Sequence, residues 1–209
     1  MKNCKSLILG CVFAVLVLPL VGASNASAQN LLVNGDFETG DLTGWEQFGV
    51  GENSLLTIQS PDNGPSFGGM NSLYQDNRAE ATALGVKQGT GAGSAGPGTY
   101  NYSFDLKLDN AGVGAVYFVH IFGEQANGGV LDQVLLGPYF PTPGVWTNYQ
   151  GMFTASDSDT DFLTMQFEAT TGAVVGSVSL YHLDNVYIGP EVPVATETAT
   201  WGDIKSLYR

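Results

Sequence analysis

The chain carries a period of two and almost nothing with a period of 3.6. Tyr100, Tyr102, Phe104 and Leu106 alternate with Asn101, Ser103, Asp105 and Lys107. Leu163, Met165, Phe167 and Ala169 alternate with Thr164, Gln166 and Glu168. Successive side chains of a strand point to opposite faces, so such runs predict strands with one face buried and one face wet. The same reading places further strands over Leu55–Ile58, Ser72–Gln75, Ala81–Lys87, Ala115–Phe122, Val130–Leu136, Asn148–Phe153 and Val178–Ile188. Clusters of Gly, Asn, Asp and Pro separate them, and glycine alone supplies 28 residues. Many short alternating runs between turns predict an all-β, antiparallel sandwich with no internal repeat.

The two ends do not share this pattern. Lys2 and Lys5 precede an apolar run from Leu7 to Val21, and Ala26-Ser27-Ala28 follows it. This is the form of a secretory signal peptide, so residues 1–28 are predicted to be removed and the mature chain to begin at Gln29. The apolar run is short for a membrane span, and no second one follows. Ile8-Leu9-Gly10-Cys11 resembles a lipoprotein cleavage box but comes too early in the apolar region. Both cysteines, Cys4 and Cys11, leave with this segment. The mature chain then has no thiol chemistry, no disulfide and no thiolate metal site, and its stability must come from core packing, an ion, or both. A net charge of −13 repels nucleic acid and anionic membranes and supplies carboxylates for a hard cation. The predicted location is secreted: extracellular, at the cell surface, or periplasmic.

Residues 190–200 hold two prolines among small residues and read as a linker. The ending, residues 201–209, places Trp201, Ile204, Leu207 and Tyr208 on one face if helical, with Thr200 as cap. The readings open for it are a short docked helix, a disordered tail, and a tag recognised by a protein partner. Gly91, Gly93 and Gly96 formally match a dinucleotide fingerprint, but Pro97 and a strand follow where a helix N-terminus is required, so this is a flexible loop.

Three motifs carry a resemblance. "NLLVNGDFETGDLTGW" spans Asn30 to Trp45, "GVWTNYQGMFTAS" spans Gly144 to Ser156, and "LYHLDNVYIG" spans Leu180 to Gly189. In that order, over 29–189, the chain resembles the jelly-roll carbohydrate-binding modules of the cellulose- and xylan-binding type, in the galactose-binding-domain-like superfamily, and its opening motif is similar to that of many exported bacterial proteins. The resemblance implies neighbouring first and last strands with a structural calcium beside them. It makes Glu38 and Asp184 side-chain ligands, Asp62 or Asn63 the loop ligand, and Asn34 and Asp36 backbone donors. Calcium takes six to eight oxygens, which carboxylates and carbonyls on loops can supply. A rival candidate, Asp157, Asp159, Asp161 and Glu168, has Phe162 where a calcium loop needs Gly, and reads as a solvated turn.

The resemblance also implies a glycan bound on one sheet face through aromatic rings and amides, because a pyranose has an apolar face and a polar rim. The candidates are Tyr117, His120, Gln133, Tyr139, Gln150 and Gln166. Gln166 is the best argued, since it lies opposite the apolar Met165 and Phe167. Trp45 and Trp146 are assigned to the core. No nucleophile elbow or zinc-protease motif is present, and His120 lies in a strongly apolar run. The expected function is a secreted, non-catalytic carbohydrate-binding module with a structural calcium, its partner a polysaccharide or cell-surface glycan. The alternatives are an adhesive or structural extracellular protein using the sandwich for protein contacts, and a small glycoside hydrolase.

Overall fold

A computed structural model describes residues 29–190. The predicted signal peptide, the linker beyond Pro190 and the segment 201–209 lie outside the described residues. Ten strands follow one another: β1 (Glu46–Phe48), β2 (Ser54–Gln59), β3 (Ser72–Asn77), β4 (Ala83–Gly89), β5 (Gly98–Ala111), β6 (Val116–Glu124), β7 (Val130–Tyr139), β8 (Thr147–Ala155), β9 (Phe162–Thr170) and β10 (Ser179–Pro190). They form two five-stranded sheets, β1-β4-β9-β6-β7 and β2-β3-β10-β5-β8, and every neighbouring pair is antiparallel. Among the described residues there is no helix, and so none long and apolar enough to cross a membrane. The fold is the expected all-β sandwich.

The alternating residues close the core. Met165 and Phe167 of β9, Val119 and Ile121 of β6, and Leu84 and Val86 of β4 are fully buried from one sheet. Phe104 and Leu106 of β5 and Tyr181 and Leu183 of β10 meet them from the other. Phe104 is the hub, edge-on to Phe167 at 5.4 Å and to Tyr139 at 5.5 Å, and stacked on Tyr149 at 5.5 Å. Such aromatic pairs add about 0.5–1.5 kcal/mol beyond their burial. Trp45 joins this core as expected, stacked on Phe37 at 5.6 Å, its indole N–H donating to the Asn34 carbonyl at 3.0 Å. Trp146 does not: it is half-exposed, its Nε1 donating to Asp62 at 3.2 Å and Lys107 lying 5.2 Å from its ring centre.

Two elements, Glu46–Phe48 and Pro190, differ from expectation. Glu46–Phe48 forms a three-residue strand too short to show periodicity. The Asn34-Gly35 segment, with Asn34 at a φ of 52°, runs beside β10. Leu31 donates to the Ile188 carbonyl and Val186 to the Gly35 carbonyl, both at 2.8 Å. The opening motif therefore meets the closing one, as the resemblance implied. Pro190, expected as the first linker residue, ends β10 opposite Tyr100.

Candidate functional site

The outer face of the β1-β4-β9-β6-β7 sheet is set by register. His120 of β6 pairs with Gln166 of β9, Gln166 with Lys87 of β4, and Lys87 with Glu46 of β1, giving one polar row across four strands. Neighbouring rows place Phe118 beside Glu168, and Phe122 between Thr164 and Gln133. The rings of His120 and Phe122, two residues apart and hence on one face, lie parallel: 5.6 Å between centres and 7° between planes. Both are half-exposed, which gives a flat aromatic plate open to solvent. Glu168 accepts from the Gln166 amide and lies 3.5 Å from His120 Nε2, while Lys87 and Glu46 pair at 3.3 Å. Gly85, with no Cβ, leaves room for Phe48 to lie over β4. A shallow cavity of about 380 Å³ opens between Lys87, Phe122, Phe162 and Gln166.

The six sequence candidates for the ligand do not share a site. His120, Gln133 and Gln166 stand together on this face. Gln150 points outward from β8, on the other sheet. Tyr117 is fully buried, its hydroxyl donating to Gln75 Oε1 at 2.6 Å, and belongs to the core. Parity forbids it from sharing a face with His120, three residues on. Tyr139 also points inward, 4.4 Å from Tyr149, and burial pushes its hydroxyl up to about 12. Phe122, Phe118, Lys87 and Glu46 were missed. The alternation through His120 already placed both phenylalanines on its face.

The outer face of the second sheet is covered around the middle of β10 and β5. Gly64 and Ser66, in the loop after β2, donate to Asp184 Oδ2 at 2.7 Å and to Asp105 Oδ2 at 2.9 Å. Asn185, at φ 51° in a register shift of β10, bonds both carboxylates. Asp184 is fully buried; desolvation first, then the Asp105 and Glu38 charges, push its carboxyl up to about 7 despite the Gly64 and Asn185 amides. Glu38 accepts from Met70 and Asn71 at 2.7 and 2.8 Å through one oxygen.

The calcium implied by the resemblance can be tried against this cluster. Its carboxylates have no salt-bridge cation among the described residues, and Asn185 Oδ1 is buried without a partner. An oxygen-seeking cation would take Glu38, Asp184 and the Asn185 amide oxygen. Asn34 is a poorer donor, because its carbonyl already accepts Phe37 N and Trp45 Nε1. Asp36 sits exposed at the edge and accepts the Glu38 amide. Asp62 belongs elsewhere: Lys107, Trp146 and His182 engage it, and they hold its carboxyl below the usual range although burial opposes this. Asn63 turns to the Gly64 carbonyl. Among the described residues no three acidic, His or Cys side chains group as a metal site, so amide and carbonyl oxygens must complete any shell. The rival aspartates form a turn, Asp157 accepting from Asp159 N at 2.9 Å and Asp161 from Gly93 N at 3.0 Å.

One arrangement has the order of a hydrolytic triad. Ser72 Oγ lies 3.3 Å from His182 Nδ1, and His182 Nε2 lies 2.9 Å from Asp109. Ser72 is fully buried, and Asp62 competes for the same ring nitrogen at 3.1 Å, so no substrate carbonyl can reach the hydroxyl. These residues tie β3, β5 and β10 together.

Among solved structures, the domain matches the enzymatically active domain of tailspike protein 4 of bacteriophage CBA120, at 15% identity and a TM-score of 0.61 over 77% of this chain and 21% of that one. It matches the CBM22-1-GH10 modules of the Clostridium thermocellum xylanase 10B, complexed with xylohexaose, at 18% identity and 0.55, over 80% of this chain and 29% of that one. It also matches the CBM22-1 xylan-binding domain of Paenibacillus barcinonensis Xyn10C, at 18% identity and 0.51, over 79% of this chain and 98% of that one. The chain thus spans about a fifth of the first of these and nearly the whole of the third. At these identities the likeness shows the fold. No curated protein matches. The model of the carbohydrate binding domain family matches residues 29–173, more than half of the chain, and the chain belongs to that family.

Proposed function

We propose that the chain is an exported, non-catalytic carbohydrate-binding module that holds a neutral polysaccharide across the open face of the β1-β4-β9-β6-β7 sheet. The observation that carries this is the parallel His120–Phe122 plate rimmed by Gln166, Glu168, Lys87 and Gln133. A sugar ring stacks its C–H face on such a plate and meets the rim with its hydroxyls. The face is open along the sheet, which suits a chain rather than a chain end. Xylan is the first probe because two proteins of similar fold are a xylan-binding domain and a xylanase complexed with xylohexaose. The test is retardation of the mature protein in gels containing xylan, β-glucan or galactan. Retention by one of them supports the reading; free migration through all three contradicts it.

Export rests on residues 1–28, and mass spectrometry of the released protein should find Gln29 as its first residue. The calcium reading rests on the buried, uncompensated carboxylates and the unpartnered Asn185 oxygen. Its role is structural: it neutralises Asp184 and Glu38 and ties the opening segment to β10. Chelator should then lower the melting temperature, and Asp184→Asn should abolish that response.

A further inference from the structure

A cavity of about 1090 Å³ lies on the other side of the molecule, on the outer face where β10, β5 and β8 run side by side. Its floor is laid out by register. Tyr187, Ser103 and Gln150 form one row across three strands, and Gly189, Asn101 and Met152 form the next. Phe67 rises from the loop that covers the acidic cluster, exposed over 64% of its surface, and walls one side. The Asn30–Asp36 segment walls the other. Gly189 puts no side chain into the floor, and a Cβ there would fall 2.4 Å from the Tyr187 hydroxyl.

What separates this patch from the rest of the same face is the state of its polar groups. One turn along the sheet, Asp105, Lys107, Asn148 and Asp184 are all engaged by neighbouring side chains or amides. In the cavity, the side chains of Asn101, Ser103 and Gln150 make no hydrogen bond among the described residues, and the Tyr187 hydroxyl is buried with no partner among them. Unengaged amides and hydroxyls beside exposed aromatic and thioether surface are the chemistry of a polyol site, since such a ligand needs donors, acceptors and an apolar wall together. Among the described residues the only charged side chain on the lining is Asp36, which disfavours an anionic ligand.

We propose that this cavity is a second, separate carbohydrate site that takes a short neutral oligosaccharide or a chain end, so that the domain carries glycan on both outer faces. The proposal rests on the carbohydrate-binding reading above. The walls at both sides suit a short ligand, whereas the open face suits the length of a chain. Two sites facing opposite ways would let one domain bridge two polysaccharide strands.

The test is calorimetric titration of the mature chain, residues 29–209, with xylohexaose, cellohexaose and β-1,4-galactotriose, repeated on Asn101→Ala/Gln150→Ala and on His120→Ala/Gln166→Ala. Two binding events are expected for the unaltered protein. Asn101→Ala/Gln150→Ala should weaken one of them about tenfold, the loss of two neutral hydrogen bonds. His120→Ala/Gln166→Ala should leave that event in place and remove the other. Melting temperatures should match the unaltered protein, because among the described residues neither Asn101 nor Gln150 bonds another group through its side chain. A single event, lost in His120→Ala/Gln166→Ala and untouched in Asn101→Ala/Gln150→Ala, would overturn the second site and leave the proposed function standing. No event with any of the three sugars would overturn both.

Discussion

The two histidines sit on opposite outer faces of the same sandwich and live in different worlds. His120 has 27% of its side chain exposed, stacked on Phe122 beside a single carboxylate. His182 has 2% exposed, wedged between Asp62 and Asp109 under Tyr74 and Trp146. The first face is open at its centre, where His120 and Phe122 stand half-exposed. Over the second lie the opening segment and the loop after β2, which bury Asp184, Asp105 and Asn185. The difference teaches where each kind of residue does its work. On the open face polar side chains are available to a ligand and add little to stability. On the covered face they hold loops to strands, except in the one patch where their hydrogen-bonding groups are left unengaged.

The comparison breaks most visibly through the metal. Calcium at about a hundred times its Kd should stabilise the fold by roughly 2.7 kcal/mol, read as a melting-temperature rise that chelator reverses. Asp184→Asn or Glu38→Gln should erase it, and Gln133→Ala on the open face should not. The next effect is steric. Gly64 packs so tightly that a Cβ would fall 2.4 Å from Asp105 Oδ2 and 2.9 Å from Asn185 Nδ2. Gly64→Ala should therefore cost about 1–3 kcal/mol in denaturant unfolding.

A subtler difference is in pH. With chelator present, Asp184 titrates near 7 in the fold because burial disfavours its charge, against about 3.9 unfolded. The folded state then holds the proton more tightly, so stability should fall as pH rises from about 4 to 7 and level off above. His182 works in the other direction. Burial lowers it despite the Asp109 hydrogen bond, so the unfolded chain takes the proton first and stability should fall as pH drops below about 6.5. Melting curves across this range should lose the first slope in Asp184→Asn and the second in His182→Gln. The smallest effect closes the series: Gln133→Ala, on the exposed edge strand β7, should change stability by no more than about 0.5 kcal/mol.

How much of this was legible follows the same division. Burial alternates along β6 and through most of β9, so these strands and the outward aim of Gln166 could be read from residue parity alone. Strand β10 was expected over Val178–Ile188, but parity could not show how its faces are packed, because its pattern is almost continuously buried. Its covering depends on contacts such as Asn30 to Val186 and Gly64 to Asp184, which no local periodicity encodes. Tyr117 was misplaced among the sheet-face aromatics, although its odd spacing from His120 puts the two on opposite faces. Asp62 was misplaced because its sequence position beside Gly64 said nothing of Lys107 across the sheet. The meeting of the opening and closing motifs came from the family resemblance, with no local signal to support it.

The central claim, that the open face is the glycan platform, is tested most directly by titrating xylohexaose into the mature protein and into His120→Ala/Gln166→Ala. Removing one ring of the stacked pair and its amide neighbour should weaken binding at that face at least about tenfold. The melting temperature should stay unchanged, because both side chains stand outside the core. Undiminished affinity at an unchanged melting temperature would contradict the account.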